Sequence, residues 1–109
     1  IGYYQQFQQD KIAAEVRDAI SALTMAHQQW LQSRENVRLA RVVAQGERQL
    51  FEEGQSTLIN VNLQEQAAAD ASLLEIEALV DYFRALAYYR AALAYQGADA
   101  AKLPDASSP

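Results

Sequence analysis

The sequence contains no cysteine, which excludes a disulfide framework, a thiolate metal site and a cysteine nucleophile. Its one histidine, His27, leaves no multi-histidine metal site to build. Proline is confined to Pro104 and Pro109, and glycine to four positions in 109 residues, too few turn-formers for a many-stranded fold. Positive charge is scarce: 9 Lys and Arg stand against 14 Asp and Glu, a formal net charge of -5 with no basic block, so nucleic acid is not an expected partner. Long apolar runs are missing too. The richest stretch, Ala67 to Tyr95, is broken by Asp70, Glu75, Glu77, Asp81, Arg84 and Arg90, well short of the roughly 18 to 20 consecutive apolar residues of a membrane-spanning helix. The opening IGYYQQFQQDK has no apolar run behind a basic start and no Met before it, so the sequence reads as a piece of a longer protein rather than one led by a signal peptide.

What is abundant is Ala, Gln, Glu, Leu and Arg, the strong helix formers, in a length that suits one domain at most. Ile12, Val16, Ala19, Leu23, Ala26, Trp30, Val37, Ala40, Ala44 and Phe51 fall on alternating steps of three and four, with only Ser33 and Glu47 polar in the series. Such a seam predicts one long helix, about 60 Å at 1.5 Å per residue, packed lengthwise against a neighbour in a left-handed supercoil.

The pattern stops at Phe51-Glu52-Glu53-Gly54-Gln55-Ser56-Thr57. Gly54 suits the left-handed residue that closes a helix, and Ser56 or Thr57 can cap the next one. Asn62 with Glu65 offers an alternative capping box, so the second helix starts between residues 57 and 62. It then runs without Pro or Gly to Gln96, where Gly97 and the polar, Pro-containing tail predict a stop and a disordered segment, 98–109. The expected architecture is all-α: two antiparallel helices, about residues 8–53 and 58–96, in a coiled-coil hairpin.

On the second helix a narrow charged stripe, Asp70, Glu77, Asp81 and Arg84, is flanked on both sides by Leu73, Leu74, Ile76, Leu79, Val80, Phe83, Leu86 and Tyr89. One partner helix cannot cover both flanks, so the fragment is expected to self-associate, most simply as a dimer forming a four-helix bundle, with Leu74 and Leu86 at buried positions. The alanines Ala67, Ala68, Ala69, Ala71, Ala78, Ala85, Ala91 and Ala92 fit either close helix approach or helix propensity alone.

Several constellations have bland readings that outweigh chemistry. Glu47, Glu52 and Glu53 suit a solvated helix end better than a cation site, and acids there oppose the helix dipole. His27 reads as a surface or seam-edge residue. Arg34, Arg38, Arg41 and Arg48 line one side of the first helix and are expected to pair with acids of the second. Tyr3, Tyr4 and Phe7, with Tyr82, Phe83, Tyr88, Tyr89 and Tyr95, predict an aromatic core at the open end. No phosphate loop, HExxH or serine elbow occurs, so neither enzyme activity nor a cofactor or metal is expected.

Taken as one unit, a long helix bearing Glu15-Val16-Arg17-Asp18-Ala19, the segment from Arg48 through Phe51, Gly54, Thr57 and Leu58 to Val61, and an Ala-rich helix ending Tyr82-Phe83-Arg84-Ala85-Leu86 and Leu93-Ala94-Tyr95-Gln96-Gly97 resemble the TolC-type outer-membrane efflux proteins, over about residues 8–97. The second repeat of that family carries Glu-Val with Ala three residues on, an aromatic-x-x-Gly-x-x-(Ser/Thr)-Leu turn and a closing Leu-x-x-x-Gly. The resemblance implies a periplasmic hairpin of a trimeric outer-membrane channel in an efflux or secretion system. It also implies that the tip, Gly54, Gln55, Ser56, Thr57 and Leu58, docks a periplasmic adaptor protein. Asn60 stands where the family often has an acid, and Gln64-Glu65 where it has Ala-Gln. The alternatives are the hairpin of a periplasmic adaptor, although neither end shows lipoyl-like β-rich half-motifs, and an unrelated helical dimerisation module.

Overall fold

The computed structural model describes the backbone of residues 2–102 and the side chains of residues 2–97. Two helices, α1 (Gly2–Glu52) and α2 (Leu58–Lys102), are joined by one short turn into an all-α hairpin, with no strand among the described residues. Contacts divide the hairpin into a tip unit, Ala26–Tyr82, and a second unit made of the described residues up to Met25 and from Phe83 onward.

The three-and-four seam of α1 is the face that packs. Ile12, Ala19, Ala26, Val37 and Ala44 are buried, and Val16, Leu23, Trp30, Ser33, Ala40 and Glu47 are half-buried, so even the two polar members lie in the contact. Phe51 departs from the series. It is exposed in the last turn of α1, just before the chain leaves the helix axis.

On α2 the contact face recurs every seven residues. Val61, Ala68, Glu75, Tyr82 and Tyr89 form one line of it, and Ala71, Ala78, Ala85 and Ala92 a second. Leu79 and Leu86 flank these lines and are half-buried. The alanines therefore divide: those at seven-residue spacing lie against α1, where small side chains permit close approach, while Ala67, Ala69 and Ala91 face solvent and serve helix propensity. A seam so rich in Ala removes little apolar area from water per residue, at roughly 25 cal/mol per Å². Larger side chains are left outside: Leu73, Leu74, Ile76, Val80 and Phe83 are exposed.

In the tip unit the helices run antiparallel in one register. Arg48 pairs with Glu65, and Trp30 stacks on Tyr82 at 5.9 Å with ring planes 22° apart; both pairs are centred near Ser56. In the second unit Tyr95 sits beside Gln8, Lys11, Ile12 and Glu15 around a shallow groove.

Three expectations change. First, α1 begins at Gly2, not near residue 8. Second, α2 passes through Gly97 to Lys102, so 98–102 is helical and not disordered. A helix-interior Gly costs only about 1 kcal/mol relative to Ala, and Ala98, Ala100 and Ala101 favour continuation. The rest of the expected tail, residues 103–109, lies outside the described residues. Third, the aromatic residues build no core at the open end: Tyr3, Tyr4, Phe7, Phe83, Tyr88 and Tyr95 are all exposed, and of that group Tyr89 is half-buried on the α2 contact face. Tyr82 instead joins His27 and Trp30 in the tip unit. Leu74, whose burial is expected in the self-associated fragment, is 60% exposed in the single chain, outside the α1 contact that half-buries Leu86.

Candidate functional site: the hairpin tip

The turn is built by two motifs back to back. Gly54 adopts φ +78°, and its N–H donates to the Phe51 carbonyl at 3.0 Å, while the Gln55 N–H donates to the Leu50 carbonyl at 2.8 Å. These are the two bonds of a Schellman closure, which satisfies carbonyls that the end of α1 would otherwise leave orphaned. Of the possible caps, Thr57 is the one used: its Oγ1 accepts from the Asn60 N–H at 3.2 Å, and its carbonyl accepts from the Val61 N–H at 3.1 Å. Val61, one turn into α2, is only 2% exposed and anchors the start of that helix.

Ser56 turns inward, its hydroxyl donating to the Glu47 carboxylate. This bond gives Glu47, the polar member of the seam nearest the tip, a partner. Behind it Arg48 and Glu65 clamp the two helices together, and the hydrogen bond to Glu65, then its charge, raises the already high Arg48 pKa.

The five predicted tip residues thus divide by task. Gly54, Ser56 and Thr57 hold the turn, whereas Gln55 and Leu58 point outward and are exposed. Sequence reasoning placed no weight on Ile59, which at 72% exposed is the most accessible apolar residue of the tip. Its signal was available: it follows the cap by two residues, in the first turn of α2, where no α1 residue stands opposite. With Leu50, Phe51 and Leu58 it gives the tip an exposed apolar surface, beside Glu52 and Glu53. Such an end can bind a partner through apolar contact with an acidic rim.

Away from the tip, the arginine stripe takes three different partners. Arg48 crosses to α2 as expected, but Arg38 pairs within α1 with Glu35 at 2.6 Å, and Arg34 lies 5.2 Å from the centre of the Trp30 ring. The hydrogen bond from Arg38 lowers the Glu35 pKa, helped by the Arg38 charge and opposed by desolvation. His27 is exposed at the seam edge, 5.5 Å from the Tyr82 ring. Among the described residues no three His, Asp or Glu side chains gather as a metal site, and no helix is long and apolar enough to cross a membrane.

Comparison with protein-family models, with curated proteins and with solved structures yields no match to this chain.

Proposed function

We propose that this hairpin is a periplasmic coiled-coil segment of an outer-membrane channel in a tripartite efflux or secretion system, and that its tip docks the adaptor protein. The observation that carries the reading is the tip itself. Gly54 at positive φ and Thr57 as cap are two of the residues that carry the resemblance to TolC-type proteins, and they close the turn so that Gln55, Leu58 and Ile59 face outward. A surface of exposed Leu and Ile at the end of a helix pair suits protein docking. The long outward apolar face of α2 further supports a hairpin that is one part of a larger helical assembly.

The test uses the full-length protein. Gln55→Arg and Ile59→Glu should abolish solute export while trimer assembly and outer-membrane insertion stay intact, because neither side chain holds the turn. Ser56 is avoided, since its hydroxyl serves the Glu47 bond. Export at the unaltered rate with both substitutions present would remove the docking role and leave the plain dimerisation module as the better reading.

A further inference from the structure

The turn is tied by its backbone on both sides of Ser56 but not at Ser56 itself. On one side the Gln55 N–H closes α1 on the Leu50 carbonyl, and on the other Thr57 opens α2 through its bonds from Asn60 and Val61. Between these motifs the Ser56 N–H and carbonyl make no backbone hydrogen bond among the described residues, so Ser56 is the joint of the turn. A side chain supplies the tie instead. The half-buried Ser56 hydroxyl donates to the Glu47 carboxylate, nine residues back on α1, and among the described residues neither group has another hydrogen-bond partner.

Packing alone does not account for an acid at position 47. The seam is otherwise apolar apart from Ser33, and the preceding seam residue, Ala44, is buried. Glu47 also lacks a cation, because Arg48, next in the chain, pairs with Glu65. A half-buried carboxylate held by one hydroxyl loses hydration that a single bond does not restore, so an apolar side chain would serve the seam as well or better. What an apolar side chain cannot do is accept a hydrogen bond from the joint of the turn. We propose that Glu47 is a positioning residue for docking at the tip: through the Ser56 hydroxyl it fixes the joint, and with it the direction in which Gln55 and Leu58 are presented, although it lowers the stability of the seam. This rests on the docking reading given above and adds to it a residue that touches no partner.

Two substitutions at position 47 separate positioning from packing, since Glu, Gln and Leu are all strong helix formers. Glu47→Gln keeps an acceptor for Ser56, whereas Glu47→Leu removes it and fills the seam. In the 109-residue chain Glu47→Leu should keep or raise the melting temperature, yet speed amide exchange at the Gln55 N–H, read by NMR, by about tenfold. Glu47→Gln should leave both near their original values. In the full-length protein, with trimer assembly checked, export should fall severalfold with Glu47→Leu or Ser56→Ala, fall no further when the two are combined, and stay near its original rate with Glu47→Gln. A merely structural Glu47 would lower melting temperature and export together. That pattern, unchanged exchange at Gln55, or unchanged export with Glu47→Leu where Gln55→Arg and Ile59→Glu abolish it, each overturns the proposal while leaving the docking reading intact. Export unaltered by Gln55→Arg with Ile59→Glu fails the docking reading itself, and the positioning role with it.

Discussion

Two glycine-to-alanine substitutions should move stability in opposite directions, because the two glycines differ in backbone and not in surroundings. An added Cβ at Gly54 or at Gly46 meets nothing within 4 Å, so neither change creates a clash. Gly54 has φ +78°, where an L side chain costs roughly 1–2 kcal/mol. Gly46 sits inside α1, where Ala is favoured over Gly by about 0.5–1 kcal/mol. Gly54→Ala should therefore destabilise and Gly46→Ala stabilise, the two differing by roughly 2 kcal/mol or somewhat more. At about 4–8 °C per kcal/mol for a chain of this size, the melting temperatures should separate by about 10 °C or more. Thermal melts followed by circular dichroism, both variants at the same protein concentration, measure this, since the midpoint of any associating chain depends on concentration. Equal shifts of the same sign would mean that Gly54 does not need its left-handed conformation, and the derivation of the turn would fail.

Other perturbations test other parts of the hairpin. Thr57→Ala removes the N-cap and should cost about 1 kcal/mol, with Thr57→Ser nearly silent, as read by urea titration. Ala26→Leu forces volume into the Ala-rich contact and should cost about 1–3 kcal/mol, although Leu is an excellent helix former; a gain in stability would show the helices to be farther apart than the burial of Ala26 implies. Leu86→Asp, in the α1 contact, should cost several kcal/mol, while Leu74→Asp should change the melting temperature little. Glu35 should titrate below the ordinary glutamate range by NMR. Because its folded pKa is the lower one, its small contribution to stability is present above the unfolded pKa and fades as pH falls through the folded value, and Arg38→Gln should abolish the shift.

The sequence made α1 legible almost residue by residue because a seam of alternating threes and fours has one physical meaning, a lengthwise helix contact, and Ser33 and Glu47 were tolerated in it as half-buried members. The turn was equally legible, since only Gly54 combines permissive φ with a cap three residues later. The fate of α2 was harder to read. Its apolar residues lie on more than one face, and hydrophobicity alone selects the larger ones for burial. The hairpin instead half-buries alanines at seven-residue spacing and leaves Leu73, Leu74 and Ile76 outside, because close approach of two helices rewards small side chains. The arginine stripe misled for a related reason: a long side chain reaches several partners, and Arg38 found Glu35 one turn away before any acid of α2. At the tip, Ser56 read as a possible cap or docking residue because its partner Glu47 is nine positions earlier and becomes a neighbour only through the turn.

The proposed docking role of the tip is tested most directly by site-specific photo-cross-linking in the full-length protein in its own cells, with a photoreactive residue at Gln55. The proposed docking role predicts a covalent product between position 55 and a periplasmic adaptor subunit, lost when Ile59→Glu is added. Cross-linking at position 55 that yields no adaptor-containing product, while the protein is correctly assembled in the outer membrane, would contradict it.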